Sequence, residues 1–313
     1  MLVSISNDYK EKPVYERKIL GKYLLKDEDP IRTNILLLWR KNADSHYLKK
    51  FKNLKSIIRY GTGYDNVDLN YLKEKKIKLY NNPEYCLEEV SDTALSLILS
   101  RMRRCKQYDS ISKKIMENTK LYKFKNTIDD IERISTKNIG VIGSGKIGKL
   151  ILKKSSMFFK NVGFYDPNVK SFKTFKKFNN LKDLLKWSDV ISINANLNKS
   201  NKHLINRNFL KNIKNKSIII NLARFEFIEN LSLVFDSIKS GKIDYFAIDL
   251  EMRDIINQKK LILKFLKLYP DNLSVHPHSS FYSKQSYIEM RANTAEKALK
   301  LINNKKVNSR IYL

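Results

Sequence analysis

The most constraining feature of the sequence is residues 138–167, which combine an apolar strand, a glycine turn, a helical segment and a second strand that ends in an acid. The turn has the spacing G-x-G-x-x-G, formed by Gly143, Gly145 and Gly148. Such glycines permit a tight turn, let a pyrophosphate approach the backbone and helix N-terminus, and let the helix pack closely on the strand. Asp166 follows Gly148 by 18 residues, where a carboxylate could accept hydrogen bonds from a ribose. The segment predicts dinucleotide binding, although a plain strand–helix turn would have the same glycines.

Composition narrows the class of protein. A chain of 313 residues with 42% hydrophobic content can bury a sizeable core in one large or two medium domains. No apolar run approaches the length of a spanning helix, and the N-terminal residues lack the basic start and apolar core of a signal peptide. The two cysteines, Cys86 and Cys105, are too few for a disulfide framework and lack metal-ligand spacing. We therefore expect a cytoplasmic protein with no membrane partner and no metal site.

The net charge of +29 has two interpretations, a solvated lysine-rich surface or a positive field that serves a function. Lysine is spread along the whole chain rather than gathered in one arm or on one helix face. This distribution favours the solvated surface and argues against a nucleic-acid partner. A field that attracts an anionic substrate or an acidic partner stays open as the alternative.

Strands and helices alternate along the chain, which predicts an α/β fold built on parallel sheets. Strands are predicted at residues 2–5, 34–39, 54–60, 77–80, 138–142, 162–165, 190–193, 217–221, 245–248 and 273–275. Helices are predicted at 70–75, 87–104, from 146 onward, 181–187, 206–213, 229–239, 261–268 and 283–302. Residues 105–137 are interpreted as a continued helix followed by a loop. The predicted domains are 1–83 with 282–313, and 84–281 for the dinucleotide.

Ligands of a doubly wound sheet bind at the carboxyl ends of its strands, so the polar residues that follow strands are candidates for chemistry. Arg224 could clamp a carboxylate with two parallel hydrogen bonds. His278 could give or take a proton near neutral pH, and an acid beside it, such as Asp254, would favour the imidazolium. Taken singly, the three could be a surface ion pair, a capping histidine and a solvated acid. Their positions after successive strands favour a shared site.

Motifs spread over most of the chain resemble the D-isomer-specific 2-hydroxyacid dehydrogenases, particularly the glycerate dehydrogenase and C-terminal-binding-protein-like branch. The motifs occur in the family's order: GTGYDNVD (61–68), NNPEYCLEEVSDTALSLIL (81–99), GSGKIG (143–148), YDP (165–167), HLIN (203–206), NLAR (221–224), SGKI (240–243), AIDL (247–250) and HPHSSFYSKQS (276–286). The first 50 residues agree with the family only in pattern. The resemblance implies two doubly wound, Rossmann-like domains with a cleft between them, and a homodimer with the predicted helix at 87–104 as the contact.

The resemblance also implies the reaction, a hydride transfer between NAD(H) and C2 of a small D-2-hydroxy or 2-oxo acid. Arg224 matches the family's carboxylate-binding arginine and His278 its general acid, while the backbone of Thr62 and Gly63 matches a second loop that holds the substrate carboxylate. The expected cofactor-binding residues are Gly143, Ser144, Gly145, Lys146, Ile147, Gly148, Asp166, Asn194, Ala223, Asp249 and His278. A carboxylate at Asp166 disfavours the 2′-phosphate of NADP, whereas Lys170 nearby favours it.

Three departures from the family pattern bear on activity. Asp254 stands where the family usually has a glutamate as partner of the histidine, and its shorter side chain loses reach. Phe225 replaces the glycine that typically follows the arginine, and Asn194 and Asn196 replace a histidine and a proline. These changes predict an unusual substrate or reduced activity. They also leave open a non-catalytic, dinucleotide-dependent binding protein on the same scaffold.

Overall fold

The computed structural model describes residues 1–121, 128 and 131–312. The chain divides into two compact units, of which unit 1 comprises Met1–Cys86 with Tyr282–Leu313 and unit 2 comprises Leu87–Phe281. Part of the loop predicted within 105–137 lies outside the described residues. None of the helices in the described ranges is long and apolar enough to cross a membrane.

The regular elements alternate along the chain. The strands of the described residues are β1 (Val3–Ile5), β2 (Ile35–Leu38), β3 (Ser56–Arg59), β4 (Lys78–Tyr80), β5 (Asn138–Ile142), β6 (Asn161–Tyr165), β7 (Lys176–Lys177), β8 (Val190–Ile193), β9 (Ser217–Asn221), β10 (Ile243–Asp249), β11 (Leu273–His276) and β12 (Arg310–Ile311). The helices are α1 (Val14–Leu20), α2 (Ser45–Leu48), α3 (Leu69–Glu74), α4 (Leu87–Met102), α5 (Cys105–Glu117), α6 (Lys146–Ser155), α7 (Leu181–Trp187), α8 (Arg207–Asn212), α9 (Leu231–Lys239), α10 (Met252–Leu268) and α11 (Lys284–Ile302).

The predicted strands agree with the structure at every position, with ends that differ by two residues or fewer. The helix prediction at 261–268 was wrong at its start, because α10 begins at Met252. In the first turns of α10 the apolar Met252 and Ile256 are exposed and the buried residue is Asp254, so the apolar positions do not mark the buried face by which a helix is recognised in a sequence. The short elements α1, α2, β7 and β12 were not predicted.

Unit 2 is a doubly wound parallel sheet with the strand order β11-β10-β9-β8-β5-β6-β7. The chain enters the sheet at β5, adds β6 and β7 on one side and then crosses to β8 on the other. Since ligands of such sheets bind where the winding direction reverses, the carboxyl ends of β5 and β8 mark the expected cofactor crevice. The central strands are apolar runs that are buried along their length, as a sheet covered on both faces requires.

Unit 1 is a smaller sheet with the order β1-β2-β3-β4-β12. Its first four strands are parallel, as expected, but β12 runs antiparallel to β4 and forms an edge of the sheet. The C-terminal helix α11 packs against α1 and begins with a capping box between Ser283 and Ser286.

A buried ion pair joins α1 to α11 within unit 1. Glu16 is fully buried, and its carboxylate accepts hydrogen bonds from Arg291 Nη2 at 2.9 Å, Arg291 Nε at 3.1 Å and the Tyr60 hydroxyl at 2.9 Å. The Arg291 guanidinium also lies over the rings of Tyr9 and Tyr287. A buried carboxylate and a buried guanidinium thus satisfy each other where α1, β3 and α11 meet.

Candidate active site

Two glycines of the turn after β5 are required by close packing. Gly143 has φ +83°, and a Cβ at this position would lie 2.5 Å from the backbone of Ala195, which follows β8. A Cβ at Gly148 would lie 2.0 Å from the carbonyl oxygen of Gly143. Neither site accepts a side chain, so these two glycines shape the turn and set the helix close to the strand.

Gly145 differs, because a Cβ built there would meet no atom within 4 Å. It is the N-terminal cap residue of α6, and no side chain caps the helix there. An open space above the uncapped N-terminus of a ten-residue helix fits a pyrophosphate, which would accept hydrogen bonds from the first N–H groups. The turn therefore fits the dinucleotide that its spacing predicts, with Ser144, Lys146 and Ile147 as the adjoining residues.

A substitution at Gly145 separates cofactor binding from folding. Gly145→Val is expected to lower NADH affinity by about 100-fold, because the side chain fills the space of the pyrophosphate and removes hydrogen bonds to it. The temperature of thermal unfolding without cofactor should change little, since the added atoms meet open space. Gly143→Ala is the matched control, and it should lower that temperature. NADH affinity that is equal in Gly145→Val and the wild type would contradict the assignment.

Asp166, at the end of β6, holds the glycine turn in place. Its Oδ2 accepts a hydrogen bond from the backbone N–H of Ser144 at 2.8 Å, and its Oδ1 accepts one from the N–H of Asn168 at 2.9 Å. The Ser144 hydroxyl also donates to Oδ2 at 3.4 Å, whereas Oδ1 of the half-buried side chain can accept a further bond. These hydrogen bonds of Asp166 were not predicted from the sequence, and its contact with the cofactor ribose stays a prediction.

Asn194 and Ala223 follow neighbouring strands of the same sheet. The Asn194 N–H donates to the carbonyl oxygen of Ile142 at 2.8 Å, so the residue sits at the β5–β8 crossover point. Ala223 follows β9, and its N–H donates to the side chain of Asn221. Both residues lie at the carboxyl edge of the sheet, where the prediction placed them, and their contact with the cofactor stays a prediction.

The three residues proposed for chemistry follow three adjacent strands. Strands β9, β10 and β11 are neighbours, and all of their pairings are parallel. Asn221 is paired with Ile248, and Asp249 is paired with His276, so the strands end together at one edge. Arg224, Asp254 and His278 follow these ends by three, five and two residues. The topology therefore brings all three to the same edge of unit 2.

Asp249 fixes the loop that carries His278. Its buried carboxylate accepts hydrogen bonds from the backbone N–H groups of Ser279 at 3.0 Å and Ser280 at 3.1 Å. His278 itself has φ +51°, a left-handed conformation that seldom occurs outside turns. Asp249 was predicted to bind cofactor, and that role stays a prediction. The contacts with Ser279 and Ser280 were missed, because they come from backbone N–H groups, which every residue except proline offers.

Asn221 holds the loop that carries Arg224. Its fully buried side chain donates through Nδ2 to the carbonyl oxygen of Arg224 at 2.8 Å and accepts from the N–H of Ala223 at 3.2 Å. Phe225, the bulky residue after the arginine, is half-buried and packs against the hydrophobic core of unit 2. Part of the Phe225 side chain therefore packs into the core of unit 2, although its position after Arg224 had suggested a place beside the substrate.

Asp254 lies in the first turn of α10 rather than in a loop after β10. Its side chain is largely buried, and its N–H donates to the carbonyl oxygen of Glu251 at 3.0 Å. Burial raises the pKa of Asp254 above its ordinary value, and the neighbouring guanidinium of Arg253 opposes this shift. A rigid helical turn therefore holds an acid whose ionisation depends on its charged neighbours.

Side chains hold the backbone carbonyls of the Thr62 and Gly63 loop of unit 1, and the binding of a substrate carboxylate by this loop stays a prediction. The Thr62 carbonyl oxygen accepts from Asn81 Nδ2 at 2.8 Å, and the Gly63 carbonyl oxygen accepts from Arg59 Nε at 3.0 Å. The Thr62 hydroxyl donates to the carbonyl oxygen of Asn82. Among the described residues, no protein acceptor receives the N–H groups of Thr62 and Gly63. Fixed carbonyls and available N–H groups suit a carboxylate ligand.

Comparison with known proteins identifies the family. Residues 95–280 match the model of the D-isomer specific 2-hydroxyacid dehydrogenase, NAD binding domain. A protein of Staphylococcus aureus strain MRSA252, named among the 2-hydroxyacid dehydrogenases, is 30% identical over 220 residues, which are 69% of this chain and 68% of the relative. A protein of strain USA300 matches with the same identity and coverage.

Solved structures support the same fold. D-lactate dehydrogenase from Aquifex aeolicus, complexed with NAD and lactic acid, superposes with a TM-score of 0.83 at 24% identity over 97% of this chain and 96% of that chain. The TT0316 protein from Thermus thermophilus superposes with a TM-score of 0.82 at 19% identity over the whole of both chains.

These matches establish the family without its branch, so the glycerate dehydrogenase branch and the homodimer stay predictions. The matched residues include the glycine turn after β5 and the Arg224, Asp254 and His278 positions of unit 2. The chain belongs to the D-isomer specific 2-hydroxyacid dehydrogenase family and carries that family's NAD-binding domain.

Proposed function

We propose that the protein is an NAD-dependent dehydrogenase that interconverts a small D-2-hydroxy acid and the corresponding 2-oxo acid. The observation that supports this most is the adjacency of β9, β10 and β11, which brings an arginine, an acid and a histidine to one edge of the cofactor-binding sheet. A carboxylate clamp, a proton donor and a charge that stabilises the donor are the groups that this reaction needs.

The residues have separate tasks in the reduction of a 2-oxo acid. When bound, NADH supplies the hydride that adds to C2. Arg224 binds the substrate carboxylate through its guanidinium, and His278 as imidazolium donates a proton to the carbonyl oxygen. Asp254 as carboxylate favours the imidazolium form of His278. In the oxidative direction, neutral His278 takes the proton from the hydroxyl group.

The substrate is proposed from the site and from the relatives. Within the described residues no acceptor receives the N–H groups of Thr62 and Gly63, so they could donate hydrogen bonds to a carboxylate. The Aquifex aeolicus structure contains lactic acid. We therefore take a short D-2-hydroxy acid such as D-lactate as the first substrate to test, with NAD as cofactor because of Asp166.

A kinetic screen tests the function. NADH oxidation would be followed with pyruvate, 2-oxobutyrate, hydroxypyruvate and glyoxylate, and at least one should be reduced. Arg224→Gln should lower kcat/KM for that acid by about 100-fold, because the neutral amide loses the bidentate charged contact. NADH affinity should be retained.

The control is Arg207→Gln, which removes an exposed arginine of α8 and should leave kcat/KM unchanged. Tight NADH binding without turnover of any 2-oxo acid would refute the dehydrogenase and favour the non-catalytic binding protein.

A further inference from the structure

Three carboxylates surround one arginine beside the proposed catalytic acid. Arg253 Nη2 lies 2.6 Å from Glu226 Oε1, and Arg253 Nε lies 3.6 Å from Asp254 Oδ1 and 3.7 Å from Glu251 Oε2. We call these four residues the Arg253 cluster. It contains one positive charge and up to three negative charges, so Arg253 is the cation that its acids share.

The Arg253 cluster links two segments of the proposed site. Glu226 lies two residues after Arg224, within the short 3₁₀ turn Phe225–Phe227 that follows β9. Arg253 and Asp254 lie in the first turn of α10, which follows β10. The Arg253–Glu226 contact therefore ties the arginine loop to the helix turn that holds the acid.

Glu226 depends on this contact. Its Oε1 is paired with Arg253, whereas its Oε2 is buried and has no hydrogen-bond partner in the described part of the chain. A buried carboxylate that lacks hydrogen bonds is unfavourable. Loss of Arg253 would therefore leave Glu226 without this ion pair and would remove the tie between the Arg224 loop and α10.

Asp254 is the most buried acid of the cluster. Burial raises the pKa of Asp254, Arg253 lowers it, and the negative charges of Glu226 and Glu251 raise it. Other titratable groups lie at the carboxyl ends of β10 and β11. Asp249 is held by the N–H groups of its loop, His276 lies 3.1 Å from the Ser274 hydroxyl, and His278 is the proposed partner. In the cluster, only Arg253 stabilises the Asp254 carboxylate by its charge.

We propose that Arg253 is a positioning residue that ties the Arg224 loop to α10 and keeps Asp254 ionised, so that Asp254 can stabilise the protonated His278. The inference rests on the proposed function and adds to it the groups that set the lower pH limit of the reaction.

The test is the pH profile of kcat/KM for 2-oxo acid reduction. Activity is lost on the acid side as Asp254 takes up a proton. Arg253→Gln removes the stabilising cation, so Asp254 is protonated at higher pH and the acid limb should move up by about 0.5–1 unit. Glu226→Gln removes a negative charge that repels the Asp254 carboxylate and competes for Arg253. Asp254 should then be protonated at lower pH, so the acid limb should move down. Opposite shifts from two neighbouring substitutions are not expected from a general loss of structure.

Two controls accompany these variants. Arg253→Lys retains the positive charge and should keep the limb close to that of the wild type. Lys260→Gln removes an exposed cation of the same helix that lies outside the cluster, and it should leave the limb unchanged. NADH titration and thermal unfolding of each variant confirm that the cofactor domain is intact.

The outcomes separate the inference from the function. Suppose that the wild type reduces a 2-oxo acid. If the acid limb of Arg253→Gln equals that of the wild type, or if the limbs of Arg253→Gln and Glu226→Gln move in the same direction, the inference alone is overturned. No turnover by the wild type overturns the proposed function and the inference with it.

Discussion

Replacing His278 with asparagine is expected to lower kcat for 2-oxo acid reduction by about 10²–10⁴-fold, the usual contribution of a general acid. An amide cannot donate a proton at neutral pH as an imidazolium can. Asparagine suits the test because it tolerates the left-handed backbone that His278 adopts, at φ +51°. NADH should still bind, since the turn after β5 is untouched, and any loss of affinity measures the cofactor contact that the sequence predicts for His278. Steady-state kinetics and an NADH titration measure the two quantities.

The matched control is His203→Asn. His203 is also a histidine with a left-handed backbone, at φ +60°, and its side chain is exposed. The substitution should leave kcat unchanged, so that any loss in His278→Asn belongs to the position and not to the type of change. A His278→Asn variant that keeps a tenth or more of wild-type kcat would show that another group donates the proton.

Replacing Glu16 with glutamine is expected to lower the free energy of unfolding of unit 1 by about 3–5 kcal/mol, the cost of breaking a buried ion pair from one side. The neutral amide keeps the size of the side chain but leaves the buried Arg291 without its main counter-charge. Urea unfolding can be followed by the fluorescence of Trp39, which lies in unit 1, in a background where Trp187 of unit 2 is phenylalanine.

Two further variants show whether the charge is responsible. Glu289→Gln changes an exposed glutamate of α11 and should alter stability by less than about 0.5 kcal/mol. Adding Arg291→Met to Glu16→Gln removes the unpaired charge and should recover part of the lost stability. A single Glu16→Gln variant as stable as the wild type would mean that the pair contributes nothing.

Local patterns were sufficient for most of the fold. Strands such as β8 and β9 are apolar runs bounded by polar residues, so their burial on both faces is visible in the sequence. The glycine turn at Gly143 is equally local, because strand, turn and helix follow one another directly. The candidate residues Arg224 and His278 were found because the carboxyl ends of parallel strands share an edge, which requires only the order of the strands.

The parts that were missed depend on contacts between residues far apart in sequence. The Asp249 carboxylate accepts hydrogen bonds from the N–H groups of Ser279 and Ser280, about 30 residues later in the chain, and no local pattern predicts such a bond. Arg253 was not predicted as a site residue, because a single arginine near two acids is common on protein surfaces. The proposed role of Arg253 depends on its ion pair with Glu226, which lies in the turn that follows β9.

The route of the chain through unit 1 has a consequence for its synthesis. Glu16 and Arg291 are 275 residues apart, so at about 5–20 residues per second the ribosome needs on the order of tens of seconds to add the second after the first. Throughout that interval the Glu16 carboxylate lacks its native partner Arg291. All of unit 2 is synthesised before Arg291 is added, because unit 2 is contiguous in sequence and ends at Phe281. Unit 1 can therefore complete its fold only after the cofactor-binding unit has been synthesised.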